Sequence, residues 1–334
     1  MKIAPSLGEA KKIAATGKFD VLPVSCEILS DFTTPIETMK ILKNVSTHCF
    51  MLESAWADRK WGRYTFLGYF SYEYLGYREP AVRGSAEDTE NFKDVDLMLF
   101  DKIIAFDNLR QKLILIVNMP LDDIEVGYNK AVLELRRLEE LIRTGEKKQE
   151  PGGRLLGKIT PLFDREQFCA MVEKAKHHIR EGDIFQIVLS NRLSAPFEGS
   201  LLNTYRILRT INPSPYMFYF SGTDVEAAGA SPETLVKLQD GVLHTFPLAG
   251  TRPRGRTDEE DRLMEEELLT DEKELAEHNM LVDLGRNDLG KISKFGSVQV
   301  EKLHFIERFS HVMHIGSTVR GEIREENDAL DAVE

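Results

Sequence analysis

A polar segment rich in glycine and charge divides the chain near its middle, and this division most constrains how the sequence can fold. Residues 144–153 read TGEKKQEPGG, a run that offers no apolar face to a core. Such a composition is typical of a linker. A length of 334 residues suits one large domain or two ordinary ones. We place the main boundary at this linker and predict an N-terminal region over residues 1–150 and a second domain over residues 151–334.

The composition is that of a globular protein and argues against several kinds of partner. Hydrophobic residues make up 42% of the chain, and 43 basic against 55 acidic residues give a formal net charge of -12. Without a basic stripe, neither nucleic acid nor an anionic membrane is an expected partner. No apolar run approaches the roughly 18 to 20 residues of a membrane helix. Cys26, Cys49 and Cys169 are far apart, which is typical of reduced thiols, so we expect a cytoplasmic protein.

The front half is predicted to be rich in β-strands. Residues 21–24, 103–106 and 113–117 carry the β-branched and apolar side chains that favour strands. Asp107 and Asn108 lie between the last two strands and indicate a hairpin turn. Apolar side chains then recur at helical spacing over residues 121–142, which predicts one amphipathic helix before the linker.

The second half is predicted to mix helices and strands. Asp164 and Gln167 have the spacing of a capping box, and the apolar stripe that follows them ends at Gly182. Residues 184–189 indicate a short buried strand, and residues 236–246 a hairpin. Residues 263–284 have the pattern of one long acidic helix.

Three motifs in this half admit either a functional or an ordinary structural interpretation. Glu274 and Glu277 lie three positions apart on a helix, where they could hold a cation or form part of a solvated acidic face. Residues 250–255, GTRPRG, could bind a carboxylate or form an exposed turn. Residues 212–217, NPSPYM, could line a binding site or form a rigid turn.

Several motifs occur in an order that resembles one protein family. The chain resembles the chorismate-utilising enzymes, and among them the component I (large subunit) branch of the anthranilate synthases. The second half contributes five blocks in the family's order: ASPE at 230–233, PLAGTRPRG at 247–255, DEKELAEH at 271–278, DLGRNDL at 283–289 and SHVMH at 310–314. Two further blocks extend the resemblance into the front half: LES at 52–54 and GRYTFLG at 62–68.

The resemblance implies a fold, an activity and a set of partners. The implied fold class is α+β, a mixed α/β sandwich with two large, mainly antiparallel sheets faced by helices. The implied reaction is the Mg2+-dependent conversion of chorismate and ammonia to anthranilate and pyruvate, in tryptophan biosynthesis. Ammonia would come from a separate glutamine amidotransferase subunit (component II). Residues 1–150 would be the tryptophan-regulatory region and residues 151–334 the chorismate-binding catalytic domain.

The resemblance also implies catalytic, substrate-binding and metal-binding residues. Glu233 matches the residue expected to protonate the departing hydroxyl group, and His314 the histidine implicated in pyruvate elimination. Such a proton donor needs a carboxyl group kept partly neutral by its surroundings. The remaining matched positions are the substrate-contacting Ala249, Gly250 and Thr251 and the metal-site pair Glu274 and Glu277.

Two positions distinguish the branches of the family. Members that add water carry a lysine base where this chain has Gln186, and an amide cannot accept a proton, so ammonia is the better nucleophile. Aminodeoxychorismate synthases typically carry a lysine nucleophile where this chain has Ala249. Both positions favour the anthranilate branch, with aminodeoxychorismate synthase component I as an alternative.

A tryptophan site for feedback inhibition is implied by two further segments. A rigid, proline-bracketed loop beside apolar side chains suits an indole ring, and a serine hydroxyl can bind the head of an amino acid. The implied tryptophan-binding residues are Leu52, Glu53, Ser54, Asn212, Pro213, Ser214, Pro215, Tyr216 and Met217.

The sequence departs from the family pattern in two places. Family chains continue beyond the position of Glu334, so an arginine that binds substrate and a second pair of metal-site glutamates are expected to be missing here. A family segment is also expected to be missing after Gly68. If the chain is complete as it stands, these losses predict very weak or no turnover. A catalytically inactive, tryptophan-binding fragment is therefore a further alternative.

Overall fold

The structure is a computed structural model that describes residues 2–53, 67–82 and 90–334. Its strands, in chain order, are β1 Ile3–Ala4, β2 Val21–Leu29, β3 Cys49–Glu53, β4 Leu67–Phe70, β5 Val95–Met98, β6 Lys102–Asp107, β7 Lys112–Pro120, β8 Arg154–Leu155, β9 Thr160–Pro161, β10 Leu193–Ser194, β11 Phe197–Glu198, β12 Tyr216–Ser221, β13 Glu226–Ser231, β14 Lys237–Gln239, β15 Val242–Thr245, β16 Leu248–Pro253, β17 Gln299–Arg308 and β18 Val312–Glu322. Its helices are α1 Leu7–Ala14, α2 Pro35–Val45, α3 Leu75–Arg78, α4 Ile124–Thr144, α5 Arg165–Glu181, α6 Leu201–Ile211, α7 Asp258–Thr270, α8 Glu272–Ile292 and α9 Ala329–Val333, with 3-10 turns at Tyr72–Tyr74 and Pro80–Val82.

The front half is built on a four-stranded antiparallel sheet in the order β1-β2-β7-β6. The predicted hairpin is present, with Asp107 paired to Lys112 across its turn. Helix α4 packs on this sheet because its apolar residues recur on one face, and Leu135 of that face is fully buried against Leu113 and Leu115. These contacts form the N-terminal core.

The second half is built on a five-stranded antiparallel sheet centred on β18. Strand β17 pairs with one side of β18, while β15 and then β16 pair with the other side. Helices α7 and α8 cover one face, where Leu268 packs on Met313 and Ile315. Farther along α8, Val282 and Leu289 pack on Val319. The opposite face of β18 carries His314, and this sheet positions the candidate site.

A third sheet, in the order β13-β12-β3, joins sequence from both halves. Strand β3 lies before the linker and pairs with β12, which lies after it. Helices α2 and α6 pack on this sheet around the buried Leu202, Tyr205 and Tyr219. Residues on either side of the linker therefore share one core, and the domain boundary at residue 150 stays a prediction.

The predicted fold class is confirmed. All strand pairs in the described residues are antiparallel, and the two largest sheets are each faced by helices. The predicted helix after Asp164 begins with a capping box and ends at Gly182, which has φ 82°. No described helix is long and apolar enough to cross a membrane.

Two local predictions are wrong. Residues 184–189 form no strand and are not buried, since Phe185 is 88% and Val188 86% exposed. Residues 263–284 do not form one helix, because the chain turns at Asp271, which caps the start of α8 with its side chain. An apolar run indicates that a segment could be buried, but not that a partner surface covers it.

Candidate active site

Gly250 occupies a bulge in β16 at the centre of the candidate site. Ala249 pairs with Ile315 and Thr251 with His314, so Gly250 is the extra residue between the two pairs. Its φ of 75° lies in the left-handed region that favours glycine. A Cβ here would lie 3.3 Å from the Glu274 carboxylate. The bulge turns Thr251 towards the face of the sheet that α7 and α8 leave uncovered.

His314 is held on this face by two oxygens of β16. Its Nδ1 lies 3.2 Å from the carbonyl oxygen of Gly250 and 3.0 Å from Oγ1 of Thr251. A carbonyl oxygen can only accept a hydrogen bond, so Nδ1 carries the proton of the neutral ring. Nε2 then keeps a lone pair that can take a proton from a bound molecule.

Glu233 lies just after β13, close enough to His314 for the two side chains to interact electrostatically. Although the Glu233 side chain is exposed, partial desolvation of its carboxyl group raises its pKa, and a positive charge on His314 opposes this rise. Raising the pKa of a carboxyl group increases the fraction that is protonated near neutral pH. The raised pKa makes Glu233 a candidate proton donor beside His314.

The first two turns of α8 present Glu274 and Glu277. Asp271 caps this helix by accepting hydrogen bonds from the backbone N–H groups of Lys273 at 3.0 Å and Glu274 at 3.2 Å. Arg252 donates to Asp271 at 2.9 Å, and its Nη1 lies 3.6 Å from Oε1 of Glu274. The guanidinium of Arg252 thereby links β16 to the start of α8.

Gln186 reaches the candidate site although its segment is not a strand. Its side-chain amide donates a hydrogen bond of 3.2 Å to Oε1 of Glu277. The amide has no basic nitrogen that could activate water. Ala249 is buried and presents only a methyl group. Neither position therefore supplies a base or a nucleophile.

The carboxylates of Glu274 and Glu277 suit a hard divalent cation. Mg2+ is commonly held by one or two carboxylates while it keeps several waters. Within residues 2–53, 67–82 and 90–334, no group of three or more His, Cys, Asp or Glu side chains could hold a metal ion. Two carboxylates nevertheless match the donors that Mg2+ accepts when its remaining positions are left to water or substrate oxygens.

The two segments of the expected tryptophan site are neighbours. Leu52 pairs with Phe218 and Glu53 with Met217 across β3 and β12, while Ser54 lies outside the described residues. The carboxylate of Glu53 accepts hydrogen bonds from Tyr205 at 2.7 Å and Arg209 at 2.6 Å, so α6 already engages both of its oxygens.

The loop between α6 and β12 completes this neighbourhood. Asn212 ends α6, Pro213 and Pro215 follow in the loop, and Ser214 is buried with its hydroxyl donating to the carbonyl oxygen of Ser231. Tyr216 is hydrogen-bonded through its hydroxyl to Thr234. The loop is thus anchored next to β13, the strand that leads to Glu233.

The structure brings the sequence-predicted catalytic residues into two groups that meet at Gly250. Thr251, His314 and Glu233 form one group, and Glu274, Glu277 and Gln186 form the other. The sequence patterns do not predict individual roles for Arg252 or His278. His278 lies four positions after Glu274, a spacing that puts both on one helical face and could have indicated a shared role.

Comparisons with known proteins identify the family and the fold. A family model described as "chorismate binding enzyme" matches residues 8–334. "Anthranilate synthase component 1" of Acetivibrio thermocellus is 37% identical over 395 residues, covering 98% of this chain and 79% of its own. The solved structure of anthranilate synthase component I from Streptococcus pneumoniae TIGR4 superposes with a TM-score of 0.71 at 30% identity, covering 94% of this chain and 72% of its own. The menaquinone-specific isochorismate synthase of Escherichia coli, at 16% identity and a TM-score of 0.64 over 97% of this chain and 77% of its own, shares the fold.

Proposed function

The chain belongs to the chorismate-binding enzyme family, and on that premise we propose that it acts as component I of an anthranilate synthase. It would convert chorismate and ammonia to anthranilate and pyruvate. The observation that carries this proposal is the meeting of Thr251, His314 and Glu233 with the carboxylates of α8 around Gly250. Ammonia would reach it from a glutamine amidotransferase partner.

Glu233 is the proposed proton donor in the first step. Ammonia adds to the ring, and the hydroxyl group leaves from another ring carbon after receiving a proton. The raised pKa of Glu233, caused by partial desolvation, supports this role because it increases the fraction of the carboxyl group that is protonated at a given pH.

His314 is the proposed base in the second step. The aminated ring becomes aromatic when it loses a ring proton and the enolpyruvyl oxygen leaves to form pyruvate. The lone pair of Nε2 is free for that proton because Nδ1 is engaged by Gly250 and Thr251. The hydroxyl of Thr251 would both orient the imidazole ring and contact the substrate.

Glu274 and Glu277 are the proposed holders of Mg2+. When bound there, the ion would supply the positive charge that holds a substrate carboxylate. Gly250 lies beside the carboxylate of Glu274 and, with Ala249, would form the adjoining wall of the substrate site. These roles extend to the residues of this chain what is general for the family.

Gln186 and Ala249 favour amination followed by pyruvate elimination over the related reactions. The side-chain amide of Gln186 donates a hydrogen bond to Glu277, and it contains no base that could activate water. Ala249 has no amine for covalent catalysis. These two side chains support anthranilate rather than an isochorismate or aminodeoxychorismate product.

Tryptophan is the proposed feedback inhibitor, bound where Leu52, Glu53 and Ser54 adjoin the loop and strand of residues 212–217. The pairing of β3 with β12 supports this proposal because it brings the two segments side by side. The carboxylate of Glu53 is already engaged by Arg209 and Tyr205. We therefore assign Glu53 to ordering the site and leave direct contact to its neighbours.

The experiment that tests this function is anthranilate fluorescence with chorismate, Mg2+ and an ammonium salt, with and without tryptophan. Ammonium replaces the partner subunit. Product that tryptophan suppresses, and that His314→Asn reduces by about a hundredfold, would support this function. Aminodeoxychorismate formed without pyruvate would instead identify the related synthase. Saturable tryptophan binding without any product would identify an inactive, tryptophan-binding form.

A further inference from the structure

Four polar side chains tie α8 to the second sheet immediately after Glu277. We call them the histidine clasp; its members are His278, Asn279, His304 and Ser317. The imidazole of His278 is fully buried, and its Nε2 lies 2.7 Å from Oγ of Ser317 on β18. Nε2 of His304 on β17 lies 2.8 Å from Oδ1 of Asn279. The two imidazole rings pack edge to face with centroids 5.5 Å apart.

The backbone of β17 is bent to make this clasp. His304 has φ 56°, a left-handed conformation uncommon for a residue other than glycine, and the register of β17 against β18 shifts between Lys302 and Phe305. At this register shift the backbone N–H of His304 takes no part in strand pairing, and it donates instead to Oγ of Ser317 at 3.1 Å. The hydroxyl hydrogen of Ser317 then remains for Nε2 of His278.

The other nitrogen of His278 faces the substrate strand. Its Nδ1 is buried and lies at the backbone of Ala249, short of good hydrogen-bond geometry. The imidazole therefore lies between β18 and Ala249, the residue before the bulge at Gly250. Since His278 follows Glu274 by four positions, it shares a helical face with that carboxylate.

We infer that His278 is a positioning residue that fixes the turn carrying Glu274 and Glu277 against β16 and β18. Apolar contacts alone allow a helix to rotate or slide by small amounts, whereas a buried, directional hydrogen bond sets its rotation. The clasp thereby sets how far the two carboxylates lie from Thr251 and His314. This inference rests on the proposed metal-binding role of the carboxylates.

Binding of Mn2+, a spectroscopic substitute for Mg2+, tests the inference without requiring turnover. Electron paramagnetic resonance measures free Mn2+ during titration of the whole chain. We expect His278→Leu to raise the Kd for Mn2+ on the order of tenfold, as loss of an outer-shell support does. His278→Gln, which can still bond to Ser317, should stay within about twofold of the parent. Ser317→Ala should fall between these two variants.

The control variants separate positioning from general damage and from failure of the metal proposal. His177→Leu changes an exposed histidine of α5 and should leave the Kd unchanged. If Glu274→Gln abolishes binding while folded His278→Leu binds as the parent does, the positioning role is overturned and the metal site stands. If Glu274→Gln binds as tightly as the parent, both proposals fail. Should His278→Leu not fold, His278→Gln and Ser317→Ala decide, because both nearly preserve the side-chain volume.

Discussion

At the residue scale, Gly250 shows how one backbone conformation joins two groups of side chains. Its carbonyl oxygen accepts from His314 on one face of the sheet, and its Cα faces the carboxylate of Glu274 on the other. A side chain at this position would have to displace Leu268 and Ile315 as well. The position therefore requires glycine for both its φ and its surroundings.

Replacing Gly250 by alanine should cost more stability than the same change at an open glycine. Gly241 has a similar φ of 77° but has no atom within 4 Å of a built Cβ. We expect Gly241→Ala to cost about 1 kcal/mol from backbone strain and Gly250→Ala at least about 1 kcal/mol more from crowding. Urea unfolding of both variants measures the difference. Equal costs would mean that Leu268 and Ile315 can move away from the added methyl group without loss of stability.

The raised pKa of Glu233 gives a second prediction, in which stability and activity change in opposite directions. Because partial desolvation raises its pKa above 4.5, the folded chain holds this proton more tightly than the unfolded chain does. The contribution of Glu233 to stability is therefore lost as pH rises through the raised pKa. At neutral pH, Glu233→Gln should stabilise the fold by less than about 1 kcal/mol, and below pH 4.5 the gain should vanish.

Anthranilate formation by Glu233→Gln should nevertheless fall by at least about a hundredfold, because an amide cannot deliver the proton. Thermal unfolding across the pH range and the fluorescence assay give the two readouts. Glu181→Gln, an exposed change on α5, is the matched control. A variant less stable than the parent at neutral pH would show that Glu233 is ionised and well solvated in the folded chain.

At the element scale, the break between α7 and α8 sets where the carboxylates of α8 can lie. Asp271 caps α8 and also accepts a hydrogen bond from Arg252 of β16. The backbone N–H of Glu274 is the main cause that lowers the pKa of Asp271, with Arg252 adding to it. A single helix through this point would remove the cap of α8 together with its hydrogen bond from Arg252, so the break allows Asp271 to hold the start of α8 beside β16.

Asp271→Ala should therefore loosen the start of α8 and weaken cation binding. Because the pKa of Asp271 is lowered in the folded chain, its contribution to stability is present above the ordinary value of 3.8 and is lost as pH falls through the lowered value. The variant should unfold at a lower temperature at neutral pH, and the gap to the parent should narrow in acid. Asp271→Asn, which keeps a capping oxygen, should retain most of the stability. An unchanged Mn2+ affinity in Asp271→Ala would count against a role in placing the carboxylates.

The sequence predicted elements well where the pattern is local. The stripe of α4, the hairpin before Lys112 and the cap of α5 are all formed, because spacing and capping residues act within a few positions. Residues 184–189 and the break at Asp271 were mispredicted, because both depend on what lies beside them in space. The motif residues of the candidate site were identified by resemblance. The contacts of Arg252 and the bond of His278 to Ser317 arise from non-local pairing, although the spacing of His278 after Glu274 already puts these two residues on one helical face.

At the scale of the whole molecule, a buried polar network joins the two halves of the chain. Lys43 of α2 lies before the linker, and its Nζ contacts Glu226 at 3.0 Å, Tyr219 at 2.5 Å and Glu150 at 3.2 Å. The side chains of Lys43 and Glu150 are only 8% and 5% exposed. Burial opposes the charge on Lys43, but its bonds to Tyr219 and Glu226 raise its pKa above the ordinary value. Glu150 belongs to the linker, so this cation holds the linker as well as β12 and β13.

Removing this cation should destabilise the whole fold, and the variant should regain part of the lost stability in mild acid. Lys43→Met would leave Glu226 and Glu150 buried without their partner, a loss of about 3–5 kcal/mol. Urea unfolding followed by circular dichroism measures this loss. Lowering the pH should recover part of it, because protonation discharges the two carboxylates, and so should the added change Glu226→Gln. Lys102→Met, which breaks an exposed pair with Asp101, should cost less than about 1 kcal/mol. If both lysine variants unfold at the same urea concentration, the halves are held together by the apolar contacts of β3 and β12 instead.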